Sequence, residues 1–266
     1  MFLEENSMKK HILLSIALLL IFPLAAQKKS EAQTVTDTTN KGASSINVIT
    51  STSWTAAFAD LAGIDNATTI APATLRHPPE YEITVSDIQK ISESDFFIYA
   101  GFERMMKTLG KTCGKTQMIQ IALNNSLATI EESSQKIAEA CGTMEERNKR
   151  LTEYKDFLQN ARAELQQKGL TQAKVIVNKN QIYLAQDLGL DIIAVFGPGE
   201  VTASQIQNAK DSSCDFIIDN VHNPVGTPLA EASPTSKYIL WRNFPETTEH
   251  NALLHTIQGN VDALKK

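Results

Sequence analysis

Histidine and cysteine are scarce, with five and three among 266 residues. Cys113, Cys141 and Cys214 match no metal-knuckle spacing, so they read as small buried hydrophobes with at most one bridge, an odd count leaving one thiol unpaired. Also missing are a G-x-S-x-G elbow, a Walker loop, a G-x-G-x-x-G turn and an H-E-x-x-H helix, which removes the usual footings of a hydrolase, a nucleotide enzyme or a zinc protease. Gly197-Pro198-Gly199 follows a predicted strand, but its proline lacks the amide donor that a phosphate cradle needs, so it reads as a turn. The chain is expected not to be an enzyme. Nor is there an excess of positive charge: 25 Lys and Arg stand against 30 Asp and Glu, for a net charge of -5. A scattered, outnumbered basic set argues against nucleic acid as a partner.

What the chain does contain begins with a targeting segment. Met8-Lys9-Lys10-His11 gives a basic start, Ile12 to Ala26 an apolar run, and small residues follow, the pattern of a secretory signal peptide over residues 1–32. Cleavage after Ala26 and cleavage after Ala32 both fit. The apolar run is short of the roughly 20 residues that a membrane-spanning helix requires. No cysteine stands nearby to carry a lipid, so a periplasmic or secreted protein is expected. Residues 33–45 are Thr-, Ser- and Asn-rich, too polar to offset the entropy of ordering, and read as a flexible linker.

From Ile46 short β-branched and aromatic runs alternate with helical patterns. Strands are predicted at 46–50, 68–70, 95–100 and 117–123, then at 173–177, 191–196, 214–219 and 237–241. Ser53 and Ser86 are the expected caps of the first two helices. Between the two sets, Asn125 to Cys141 forms one helix, and a Thr143-Met144-Glu145-Glu146 capping box opens a long one whose apolar ladder runs through Leu151, Tyr154, Leu158, Ala161 and Leu165. A terminal helix over 249–264 places Leu253, Leu254, Ile257 and Val261 on one face, and its His250 and His255 read as surface residues. Strands separated by helices predict an α/β protein with two four-stranded, mainly parallel sheets. The expected organisation is a first lobe at 46–142, a backbone helix at 143–169 and a second lobe at 170–266.

The stretch Leu75-Arg76-His77-Pro78-Pro79-Glu80-Tyr81-Glu82, with the helix Ser86 to Ile91 and the strand Phe96 to Gly101 behind it, resembles the metal-ligand loop of the zinc and manganese solute-binding proteins of ABC importers. The order of elements resembles that family across the whole mature chain. The resemblance implies a monomeric extracytoplasmic protein that delivers a divalent cation to a membrane permease and holds it between two lobes.

Family members draw three or four ligands from both lobes, and His77 stands at the first of these places. Counting along the family pattern puts Gln120 at the second, Asn178 at the third and Arg242 or Asn243 at the fourth. Neutral amides are poor zinc ligands and an arginine repels a cation, so this set departs from the family's chemistry. Asp219 and His222, just beyond a strand, together with Glu80 or Glu82, are candidate relocated ligands. The histidine-rich loop of many zinc-specific members is missing. The alternative implied is a two-lobe module, an adhesin or sensor partner or a binder of an anionic or polar solute, that no longer takes metal.

Overall fold

In the computed structural model, which describes residues 46–110 and 113–266, the short apolar runs become strands of two separate sheets. The signal peptide and linker fall outside the described residues. β1 (Val48–Thr50), β2 (Thr68–Thr69), β3 (Phe96–Tyr99) and β4 (Gln117–Gln120) are all parallel, in the order β2-β1-β3-β4. β5 (Lys174–Asn178), β6 (Asp191–Phe196), β7 (Phe216–Asn220) and β8 (Lys237–Trp241) repeat that order as β6-β5-β7-β8. The α/β expectation of two four-stranded parallel sheets is thus met.

Strand alternation decides which core each side chain joins. Val48, Ile98 and Ile119 of the first sheet, with Val175, Val177 and Ile218 of the second, enter one continuous interior. Their neighbours Ile49 and Phe97, or Ile176 and Ile217, turn to smaller clusters on the opposite faces. Fully burying a side chain such as Phe58 or Ile98 contributes about 1.5–3 kcal/mol.

Helices α1 (Ser53–Leu61), α2 (Val85–Glu93), α3 (Met105–Leu109), α4 (Leu127–Cys141), α5 (Met144–Gln167), α6 (Ile182–Asp187), α7 (Ala203–Asp211), α8 (Thr227–Ala232) and α9 (Ala252–Lys265) surround the sheets. Two caps differ from expectation. Thr52 and Thr84, rather than Ser53 and Ser86, occupy the N-cap positions, each in a capping box with the residue three places on, Thr55 or Asp87. The box expected at Thr143 does not form, because its hydroxyl donates to the carbonyl of Ala62 instead.

α5 does run unbroken for 24 residues, about 36 Å at the α-helical rise, with Leu151, Tyr154, Leu158, Ala161 and Leu165 buried as the ladder predicted. Tyr154 and Leu158 belong to the same interior as Phe58 near the first sheet and Trp241 in the second. His250 precedes α9 rather than lying on it. All three cysteines are free, and burial pushes the Cys141 thiol up to about 11. Among the described residues no helix is long and apolar enough to cross a membrane.

Candidate functional site between the two sheets

Open parallel sheets present ligands to the segments beyond the carboxyl ends of their strands. In the first half those segments supply Thr52 and Trp54 after β1, Pro78 and Pro79 after β2, Phe102 after β3 and Leu123 after β4. In the second half, Asn243 and Phe244 follow β8. Together they enclose a cavity of about 140 Å³ with an almost wholly apolar wall. The Trp54 and Phe244 rings meet with centroids 5.9 Å apart, and the His222 imidazole stacks on Phe244 at 3.7 Å and 14°. Two larger hollows of about 390 and 420 Å³ are open grooves, the first between α9 and the segment that follows β8, the second along α5.

Hydrogen bonds hold the crevice shut. Ser53 Oγ donates to Pro245 O at 2.7 Å, Asn125 Nδ2 to Asn243 O at 3.0 Å and Arg76 Nε to His222 O at 3.4 Å. One buried carboxylate shapes the loops of each half. Glu103 accepts from Ser51 Oγ and from the amides of Ala100 and Gly101 at 2.6–2.8 Å, tying the β1 and β3 loops together. Gly101 has φ +100°, a conformation that residues with a side chain rarely adopt, so glycine is favoured there. Asp219 accepts five hydrogen bonds, from Asn178 Nδ2, the amides of Asn220, Val225 and Gly226, and the Tyr238 hydroxyl. Burial, and then this bond to Asp219, push the Tyr238 hydroxyl up to about 12.

Among the described residues no one cavity is lined by all those singled out in the sequence, although His77 and Arg242 both lie near enough to His222 to disfavour its protonation and Asn178 bonds Asp219. His77 is exposed at the head of a short 3₁₀ turn, though its loop reaches the His222 loop through Arg76. Gln120 is also exposed, and its Nε2 donates to Ala100 O at 3.0 Å. Asn178 is fully buried, with Nδ2 on Asp219 and Oδ1 receiving the Asn180 amide at 3.0 Å. Arg242 pairs with Glu246.

Asn243 alone of these positions lines the cavity. Glu80 is exposed, and Glu82 is bound at the surface to Arg104 at 2.6 Å. Asp219, read as a candidate relocated ligand, is engaged by five protein donors. Among the described residues no three His, Cys, Asp or Glu side chains come together in a metal-holding group. Trp54 and Phe244 were missed as site residues, because a lone aromatic beside a loop gives no sequence signal distinct from core.

His222 is 6 % exposed and its Nε2 has no hydrogen-bond partner. Burial, with Arg242 next, depresses its pKa from 6.5 to about 4. Between those values an unfolded chain carries the proton and the folded one does not, so acid favours unfolding. Lowering the pH from 7.5 to 4.5 is expected to cost about 2 kcal/mol at this ring. Urea melts across that range check it, with His222→Phe, which keeps the stack, expected to flatten the dependence. An equal acid loss in both proteins would exclude His222 as its source.

No protein-family model matches the sequence, and no curated protein matches it. Solved structures do. A periplasmic metal binding protein from Candidatus Liberibacter asiaticus superposes with TM-score 0.59 at 17% identity, covering 82% of this chain and 99% of that one. Laminin binding protein (Lmb) of Streptococcus agalactiae, described as bifunctional with adhesin and metal transporting activity, gives 0.60 at 15%, covering 82% and 98%. FpvC from Pseudomonas aeruginosa, in complex with Mn2+, gives 0.61 at 15%, covering 83% and 97%. The chain therefore has the fold of periplasmic metal-binding solute-binding proteins over essentially all of the described residues.

Proposed function

We propose that this fold serves here as the solute-binding subunit of an ABC importer, working in the periplasm or outside the cell and delivering its cargo to a membrane permease. In this reading the lobes span 46–142 and 170–266, α5 joins them, and the chain acts as a monomer. The observation that carries it is the cavity itself, walled by the segments that follow β1, β2, β3, β4 and β8 and so shared by both halves. Such a crevice is where open α/β sheets take a small solute. Structural neighbours described as metal binding or Mn2+-bound support a divalent cation as the inherited cargo. Zinc or manganese would need several imidazole or carboxylate donors, and the side chains at the corresponding places are amides, an arginine and one exposed histidine.

Crosslinking the protein in intact envelopes of the organism that makes it, followed by mass spectrometry of the adducts, tests the importer role. The expected adduct is a permease subunit of an importer whose ATPase is recovered with it. Adducts confined to adhesion or sensor proteins would overturn the importer reading in favour of the two-lobe module without transport.

A further inference from the structure

β8 is an edge of the second sheet, paired on one side only. Lys237 N donates to Asp215 O at 2.8 Å and Val221 N to Trp241 O at 3.0 Å, so the backbone groups of Lys237, Ile239 and Trp241 turn to β7. Strand alternation then sends those of Tyr238, Leu240 and Arg242 outward. At Arg242 the outward pair is met by a side chain. Asn260 of α9, 3 % exposed, accepts the Arg242 N–H at 2.8 Å through Oδ1 and donates to the Arg242 C=O at 2.7 Å through Nδ2. One amide thus stands where the peptide group of a neighbouring strand would stand. The next outward groups, on Leu240 and then Tyr238, meet no hydrogen-bond partner among the described residues.

Beside that open edge lies the groove of about 390 Å³, with Leu240 and Pro245 on one wall and Ala252, Thr256 and Gly259 of α9 on the other. Leu240 is 44 % exposed, an apolar side chain left uncovered at the brink. Gly259 sits inside α9 without a positive φ, and a Cβ built on it would meet nothing within 4 Å. Neither backbone conformation nor packing within the chain calls for glycine there, and glycine weakens a helix interior. What its missing side chain leaves is room in the groove. Arg242 and Glu246, which also line it, neutralise each other.

Unmatched N–H and C=O groups along a strand are met by another extended main chain, and an adjoining groove takes its side chains. We propose that the groove between β8 and α9 is a docking site for an extended, uncharged segment of a partner polypeptide, added to the sheet as a fifth strand next to β8. Its main chain continues along Leu240 and Tyr238 the pairing that Asn260 begins at Arg242, and one of its apolar side chains lies against Leu240, Pro245 and Gly259. Because α9 overhangs the edge, the gap admits a single strand and not the sheet of a second copy. This site is separate from the crevice between the two sheets and does not depend on the importer reading.

Selection of a random peptide library displayed on phage against the purified protein, followed by amide NMR titrations with the synthetic peptides recovered, tests the proposal. The peptides are expected to saturate one site and to shift the amides of Leu240, Tyr238 and Gly259. Methylating the backbone nitrogens of a recovered peptide should abolish its binding, because the pairing runs through its main chain. Gly259→Gln has nothing to displace and removes a helix-weakening residue, so the protein should melt no lower, while the glutamine fills the groove and abolishes binding. Leu240→Pro deletes a single outward N–H, which an edge strand tolerates, and should weaken binding about threefold to tenfold, the loss of one hydrogen bond. A library that yields no binder, peptides whose shifts fall elsewhere on the protein, or an affinity untouched in Gly259→Gln overturns the proposal. Concentration-dependent dimerisation of the protein alone, lost in Gly259→Gln, overturns it in favour of a second copy at this edge.

Discussion

Replacing Asp219 with alanine is expected to destabilise the protein by about 3–5 kcal/mol, the range for breaking a buried, fully bonded charged group. The carboxylate is entirely buried, and its loss would strand the Asn178 amide, three backbone N–H groups and the Tyr238 hydroxyl at once. Asp219→Asn keeps the shape but turns an NH2 toward backbone donors, so it should recover only part of the loss. Urea unfolding with a fixed slope is the measurement. A stability unchanged in Asp219→Ala would mean that the side chain is free to serve a ligand, the role that its five donors argue against.

The second large effect is expected at Arg150. Its guanidinium, 6 % exposed, donates to Asp60 O at 2.7 Å and Asp60 Oδ1 at 3.0 Å, to Glu146 at 2.9 Å and to Asp65. Asp60 also receives the Asn251 amide at 3.0 Å and meets His250 Nδ1 at 2.7 Å, so one cation on α5 organises the end of α1 and the approach to α9. Arg150→Ala should cost about 2–4 kcal/mol, below the full cost of a buried pair because Asp65 and Glu146 are largely in solvent. Arg150→Lys should restore less than half of that, since a single ammonium cannot reproduce a fork reaching three carboxylates. Thermal melts of the two variants side by side decide this, and equal midpoints for wild type and Arg150→Ala would refute the assigned role.

Much of the fold was legible because its signals are local. Val48-Ile49-Thr50 or Phe216-Ile217-Ile218 declares a strand by composition, and the ladder on α5 declares a helix by period. α3 was not foreseen, because five residues are too few for a helical repeat to show. The caps moved to Thr52 and Thr84 because several hydroxyls near each helix start could do the work, and only the surrounding packing chooses between them.

The site was legible only in outline. Counting against a known pattern singled out Asn178 and Asn243, but could not tell that the first would be bonded to Asp219, 41 residues away, while the second kept an unpaired oxygen. Trp54 and Phe244 are 190 positions apart and become neighbours only when the two halves close on each other.

The shared interior has a bearing on traffic into the crevice. Phe58, Tyr154, Leu158 and Trp241 lie in one unbroken hydrophobic mass that reaches from one sheet to the other. A broad swing of the halves would expose that mass to water at a cost of many buried side chains, whereas parting the rim breaks only contacts such as Ser53 with Pro245 and Asn125 with Asn243. For a crevice that takes a solute as proposed, admission and release would fall to the loops, and the speed of exchange would be set by how fast a few peptide segments at the mouth peel apart and reseal.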